Sequence, residues 1–263
     1  KNESITVQDS VQKRLKIDRD WVLNKNNFNA YGEIIDTSDV DTLYRNIYDP
    51  STFTGVIFKE SLEKYGARVK TISKKKTSNK SYKKVSNHLS KPLIHSATNL
   101  MNESDNLTAE LFVKSIGALD TLPGTWKVGL DSIKSFLAKE VLIDTSNIRL
   151  ADASGVSRYN LTSAAQLNSL LKWMYNSEYK DDFISTLPGG GWENSTLEKR
   201  LIDEGDLVRA KTGGLSGVRN LAGYIKSKKY GDVAFSILMN GYTDYSSRYA
   251  RVHDQIVKSI IYD

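Results

Sequence analysis

The sequence predicts an α+β fold in which a series of helices precedes a three-stranded antiparallel sheet and one helix closes the chain. Three observations carry that expectation. Apolar residues recur at helical spacing from about residue 50 to residue 176. After Leu187-Pro188-Gly189-Gly190-Gly191 the apolar period changes to two, and an amphipathic stretch ends the chain. With 263 residues, 39% of them apolar and 26% charged, the chain can bury a real core.

Residues 1–47 read as strand-rich. Ser4-Ile5-Thr6-Val7 and Arg14-Leu15-Lys16-Ile17 alternate, and Asn29-Ala30-Tyr31-Gly32-Glu33-Ile34-Ile35 sets β-forming residues around a glycine. The texture changes at Asp49-Pro50, which places a domain boundary near residue 48. Ser51 or Thr52 is the expected cap of a helix through Phe58, Leu62 and Tyr65 that stops at Gly66. Another helical segment starts after Ser90-Lys91-Pro92, with Leu93 and Leu100. Ala109, Phe112, Val113 and Ile116 share one helix face, closed by Gly117. Trp126, Leu130, Ile133 and Leu137 mark the next helix. Ala164, Leu167, Leu171 and Met174 mark a third, capped by Thr162 or Ser163. Leu207–Lys211, Arg219–Lys226 and Val233–Asn240 read as three strands joined by turns too short for a crossover. Tyr249, Val252, Ile256 and Ile260 give the last helix its expected apolar face.

Composition removes several classes of function. Cysteine is absent, which excludes a thiol nucleophile, a disulfide framework and a Cys-ligated metal. The three histidines, His88, His95 and His253, form no HExxH pattern, so a zinc hydrolase is not expected. No apolar run approaches the roughly 18–20 residues of a membrane span. The net charge is +6, and Lys74, Lys75, Lys76, Lys80, Lys83 and Lys84 crowd one short stretch. Such a field favours anionic partners. Nucleic-acid sites interleave aromatics with basic residues, and only Tyr82 lies near, so the run reads as a solvated lysine loop. The chain opens on Lys1 without an initiator Met or a hydrophobic signal segment, as a processed or trimmed product would.

Two short motifs carry the candidate chemistry, Ser104-Asp105-Asn106 and Lys211-Thr212-Gly213. Taken alone, the first is an ordinary helix cap and the second an ordinary strand end. Their surroundings are more specific. Ser104-Asp105-Asn106-Leu107-Thr108-Ala109-Glu110, Asp152-Ala153-Ser154-Gly155-Val156-Ser157-Arg158-Tyr159-Asn160 and the string from Ala210 through Lys211-Thr212-Gly213-Gly214 to Asn220-Leu221-Ala222-Gly223-Tyr224 occur in that order. Together with His88-Leu89-Ser90-Lys91-Pro92-Leu93 they resemble the low-molecular-mass penicillin-binding proteins of the D-Ala-D-Ala carboxypeptidase/endopeptidase type (the penicillin-binding protein 4, DacB-like group). The resemblance covers roughly residues 48–263. Residues 1–47 fit more loosely, as the end of the β-rich insertion these proteins carry.

The resemblance implies a penicillin-binding/serine β-lactamase-like transpeptidase fold. Residues 48–263 would be an incomplete transpeptidase-like domain and residues 1–47 the remnant of the inserted one. It implies a serine acyl-transfer site built from three motifs, SxxK, SxN and KTG. In such a site a serine attacks the D-Ala-D-Ala carbonyl once a neutral lysine takes its proton. By the resemblance Ser104 relays that proton to the leaving D-alanine amine, and Asn106 binds the substrate's side-chain amide and positions the motif lysine. Lys211 supplies positive charge beside Ser104 and the substrate carboxylate, and Thr212 donates a hydrogen bond to that carboxylate. Gly213 belongs to the same substrate-binding strand, and the Gly214 N–H is the second donor of an oxyanion hole. No metal or organic cofactor is implied. The implied partners are peptidoglycan stem peptides and β-lactams, and a periplasmic or extracellular cell-wall compartment follows.

The nucleophile is the missing part. Six SxxK matches occur, at Ser10–Lys13, Ser61–Lys64, Ser73–Lys76, Ser81–Lys84, Ser169–Lys172 and Ser177–Lys180. None has the flanking Pro-Ala of the family pattern, so the nucleophile is expected outside this chain, on an N-terminal segment that would be a further partner. Smaller departures are Ala153 and Ser195 where the family has Gly, and Gly214 where Ser or Thr is common. Two other classes remain open: a non-catalytic homologue that binds peptidoglycan or a protein, and a β-lactamase-like hydrolase.

Overall fold

Three strands open the chain, β1 (Asn2–Val7), β2 (Lys16–Arg19) and β3 (Phe28–Ile35), as their alternation predicts. They form a sheet in the order β1-β3-β2, with β1 parallel and β2 antiparallel to β3. The helix α1 (Pro50–Lys64) follows. Its cap is Asp49, which accepts from the Thr52 N–H at 3.2 Å, rather than Ser51 or Thr52. Pro50 explains the shift, because its missing N–H and fixed φ suit the first helical turn. The computed structural model describes residues 1–8, 11–38, 42–75 and 83–263. These form two compact units, Lys1–Asn87 and His88–Asp263. The expected boundary near residue 48 marks the end of the strand-rich stretch, and α1 lies on the first unit's side of the division. In the lysine run Lys74 pairs with Asp49, Lys75, Lys83 and Lys84 are exposed, and Lys76 and Lys80 lie outside the described residues.

The second unit begins with the helices α2 (Leu93–Glu103), α3 (Asn106–Asp120), α4 (Trp126–Lys139), α5 (Ala164–Tyr175) and α6 (Lys180–Thr186). The strands β4 (Val208–Leu215), β5 (Val218–Ser227) and β6 (Gly231–Asn240) then form the expected antiparallel meander, and α7 (Ser246–Tyr262) ends the chain. Ser163 caps α5 through a reciprocal capping box with Gln166. Alternate residues of β5 serve opposite layers. Leu221 and Ile225 pack with Val208, Ala210, Val257 and Ile261 under α7. Tyr224 and Ala222 pack with Leu171, Leu187 and Phe183 on the other face.

Three expectations are corrected here, and one helix was not foreseen. Gly117 does not close α3, which continues to Asp120. It is a packing glycine, since a Cβ there would meet the Thr125 carbonyl at 2.8 Å. The seven-residue α6 carries too little periodicity to be seen in sequence. The buried face of α7 is Ala250, His253, Val257 and Ile261, one position on from the expected stripe, while Val252 is 40% exposed. His253 is 0% exposed, and a polar residue type concealed the true stripe. Finally, the KTG sequence does not end β4. That strand runs to Leu215 because β5 pairs with all eight of its residues, down to Gly214↔Arg219 and Leu215↔Val218. The ladder overrides the turn propensity of Gly213-Gly214, and Gly217, at φ 70°, takes the turn instead.

Candidate active site

Ser104, Asp105 and Asn106 sit at the seam of two helices, and each has a different backbone task. Ser104 ends α2 in the left-handed region, at φ 60° and ψ 49°. Asp105 caps α3, accepting from the Leu107 N–H at 3.0 Å and from the Thr108 hydroxyl. Asn106 is the first residue of α3 and is exposed, and its side chain makes no hydrogen bond among the described residues. Asn102 anchors the end of α2: its Nδ2 donates to the Thr186 carbonyl at 3.2 Å, and its own carbonyl accepts from the Thr196 N–H at 3.0 Å. A non-glycine residue held at positive φ is uncommon and often marks a site where position matters more than local comfort.

Lys211 reaches this seam from the sheet. It lies on β4 opposite Ala222, and its Nζ donates to Ser104 Oγ at 2.8 Å, across 107 residues of sequence. A second Nζ–H goes to the Thr212 carbonyl at 2.9 Å, which leaves one of the ammonium's three donors unused among the described residues. Burial pushes the Lys211 pKa down to about 8. The group is therefore mostly cationic at neutral pH and close to its titration.

β4 is an edge strand. On its outer side the Ala210 N–H donates to the Pro188 carbonyl at 3.0 Å and Arg209 bridges to Gly189. Past that bridge the edge carries no strand among the described residues. With a period of two, Thr212 and Gly214 present backbone groups in the same outward direction as Ala210. An extended peptide could add there as a further strand.

Beside β4 lies a cavity of about 870 Å³, walled by Lys211, Thr212 and Gly213, by Ser157, Arg158 and Asn160, and by the apolar side chains of Leu167, Leu171, Phe183 and Leu187. The Asp152–Asn160 loop is internally braced. Asp152 accepts from the Gly155 and Ser157 N–H groups at 2.9 and 2.6 Å and from Asn160 Nδ2 at 2.6 Å. Glu110, in the Ser104 string, receives the Ser154 N–H at 2.9 Å, and Arg158 Nη2 donates to the Ser216 carbonyl at 2.6 Å. The loop is thus tied both to α3 and to the β4–β5 turn. Gly155, at φ 78°, carries the positive φ of this loop, so Ala153 costs nothing there.

Of the residues singled out in the sequence, Ser104 and Lys211 meet directly, and Thr212, Gly213 and Gly214 follow along the open edge. Asn106 lies two residues from Ser104. The SxxK serines that can be described point elsewhere: Ser61, Ser169 and Ser177 donate to the carbonyls of Ile57, Ala165 and Met174, in their own preceding turns. Ser10, Ser81 and the Lys76 partner of Ser73 fall outside the described residues. Arg219 escaped notice in the sequence because its pairing with Gly214 is a matter of sheet register. No group of three His, Asp or Glu side chains among the described residues is placed to hold a metal, and no described helix is long and apolar enough to cross a membrane.

Comparisons with known proteins give the family and the fold. A D-alanyl-D-alanine carboxypeptidase from an Actinomadura species is 32% identical over 212 residues, covering 77% of this chain and 39% of that protein. The D-alanyl-D-alanine carboxypeptidase DacB of Haemophilus influenzae is 34% identical over 160 residues, covering 59% of this chain and 33% of its own. The chain therefore spans well under half the length of these curated relatives. The crystal structure of penicillin binding protein 4 (dacB) from Haemophilus influenzae, complexed with a β-lactam, superimposes with a TM-score of 0.77 at 24% identity, over 95% of this chain and 60% of that one. The fold is therefore the α+β, penicillin-binding/β-lactamase-like one. A family model described as D-Ala-D-Ala carboxypeptidase 3 (S13) matches residues 1–259, and the chain belongs to that family.

Proposed function

We propose that this chain is part of a serine-type D-Ala-D-Ala carboxypeptidase/endopeptidase that cleaves peptidoglycan stem peptides through an acyl-enzyme. The observation that carries the proposal is the contact of Lys211 Nζ with Ser104 Oγ at 2.8 Å beside the open edge of β4. A serine supplied by a segment outside residues 1–263 attacks the carbonyl of the penultimate D-alanine, and a neutral lysine on that segment takes its proton. The tetrahedral intermediate collapses with cleavage of the C–N bond. Ser104, its oxygen already accepting from Lys211, hands its own proton to the leaving D-alanine amine and takes in its place the proton that the segment's lysine removed from the nucleophile. Water then hydrolyses the acyl-enzyme. The outward N–H of Gly214 stabilises the oxyanion, Asn106 and Thr212 orient the substrate, and the third Nζ–H of Lys211 serves the substrate carboxylate.

The apolar cavity beside Lys211 is the natural seat of the nucleophile-bearing segment. Its Leu, Met and Phe lining offers contact to a packed helix more than to a polar peptide. Residues 1–47 we assign to the end of a β-rich insertion, and the compartment to the periplasm or the outer face of the wall.

Intact-mass spectrometry after incubation with a labelled penicillin tests the proposal, on residues 1–263 and on the full-length gene product in parallel. Labelling of the full-length product alone is expected. Labelling of neither identifies a non-catalytic homologue that binds peptidoglycan or a protein. A stoichiometric adduct on residues 1–263 overturns the placement of the nucleophile.

A further inference from the structure

Position 214 lacks the hydroxyl that the resemblance expects, and the ladder shows what stands beside it. Gly214 pairs with Arg219 across β4 and β5. A Cβ built on Gly214 would meet Arg219 Nη1 at 3.2 Å and, apart from the Val218 carbonyl at 3.9 Å, nothing else. Gly214 is exposed and its φ is not in the left-handed region, so the backbone does not require glycine there. What glycine provides is a notch over which the Arg219 guanidinium lies.

The local charge is unbalanced. Arg200 takes both oxygens of Asp254, with Nη2 at 2.7 Å and Nε at 3.2 and 3.3 Å. Arg219 feels Arg200, Asp254 and Tyr242, and its Nε is buried without a partner. Its side chain donates no hydrogen bond among the described residues. His253, the other group facing this cluster, is held neutral by burial, its pKa pushed down to about 4. Arg200 thus takes the carboxylate of Asp254, and Arg219 beside Gly214 has no ion-pair partner among the described residues. A buried donor without a partner is costly unless a ligand supplies the acceptor.

Thr212 and Gly214 lie on the same face of β4, about 6.8 Å apart by strand geometry. A carboxylate between the Thr212 hydroxyl and the Arg219 guanidinium can take one charge-assisted bond of about 2.8 Å from each side. We propose that Arg219, seated in the notch left by Gly214, binds the C-terminal carboxylate of the substrate in place of the missing hydroxyl at 214. This rests on the reading of β4 as the substrate edge. It deepens that reading by making Gly214 and Arg219 a coupled pair that selects peptides ending in a free acid.

The test compares binding of an N-acyl peptide ending in D-Ala-D-Ala with binding of its C-terminal carboxamide, on the full-length protein carrying this chain, and measures hydrolysis separately. Arg219→Ala is expected to weaken the acid about 10- to 100-fold and to leave the carboxamide within about threefold. Arg219→Lys, which keeps the charge but loses the planar fork, should fall between, and it guards against misfolding of the alanine variant. Equal losses on acid and amide, or none on either, overturn the proposal, as does a wild type that binds acid and amide alike. A wild type that binds the acid peptide without hydrolysing it retires the catalytic reading and leaves the Arg219 comparison intact.

Discussion

Ser104 holds a left-handed backbone at φ 60°, and Lys211, from a strand 107 residues away, donates to its hydroxyl at 2.8 Å. The helix seam places the oxygen, and the sheet places the ammonium. The backbone position of each is set by a different structure, the α2–α3 junction for Ser104 and the β4–β5 ladder for Lys211.

Backbone strain and chemistry at Ser104 can be separated by two substitutions. Ser104→Gly relieves the positive φ, whereas Ser104→Ala keeps it, so the glycine variant should be the more stable by about 1 kcal/mol. Both lose the hydroxyl proposed as the relay and should lose activity on D-Ala-D-Ala peptides alike, by about 10²- to 10⁴-fold. Denaturation midpoints and kcat/KM on the full-length protein check this. A glycine variant that keeps full activity removes Ser104 from the reaction.

The pH profile should report Lys211. Its folded pKa is about 8 because burial disfavours the charged form. As pH rises through about 8 the ammonium loses its charge, so kcat/KM for peptides bearing a carboxylate should fall above that pH. In Lys211→Arg the cation persists to beyond roughly pH 12, and that alkaline limb should disappear whatever the residual rate.

His253 should make the fold acid-sensitive. It is fully buried, and neither ring nitrogen has a partner among the described residues. Its folded pKa of about 4 lies below the ordinary value of 6.5, through burial first and then Arg200 and Arg219. The unfolded chain therefore binds the proton more readily, and stability is lost as pH falls from 6.5 to about 4, by at most about 3 kcal/mol. His253→Leu should be close to neutral at pH 7 and flatten that window in denaturant titrations at stepped pH.

Glycines separate by what a methyl group would meet. Gly129→Ala places a Cβ 2.0 Å from the Val113 carbonyl where α4 crosses α3, and should cost about 3 kcal/mol or more. Gly214→Ala meets only the tip of Arg219 and should stay within about 1 kcal/mol. Thermal melts of the two variants check the contrast. Comparable losses would mean that the Gly214 notch is sterically closed.

Read alone, the sequence orders the helices and strands apart from α6, places the meander and singles out Ser104, Asn106 and Lys211 as candidates, because tripeptides, caps and apolar periods are local. It misjudged what depends on partners. The Gly213-Gly214 pair reads as a turn until β5 supplies the ladder that keeps β4 extended to Leu215. In α7 the stripe through Val252 and Ile256 reads as the more apolar, because its neighbour carries His253. Only packing against Leu221 and Ile225 selects the one through Val257 and Ile261 and buries His253 with it.

The meeting of Ser104 with Lys211, and of Gly214 with Arg219, was decided by tertiary structure alone. Local sequence fixes which way a residue points along its own element. Which residue of another element it then faces depends on register and layer packing, and those follow from burying both faces of the sheet at once.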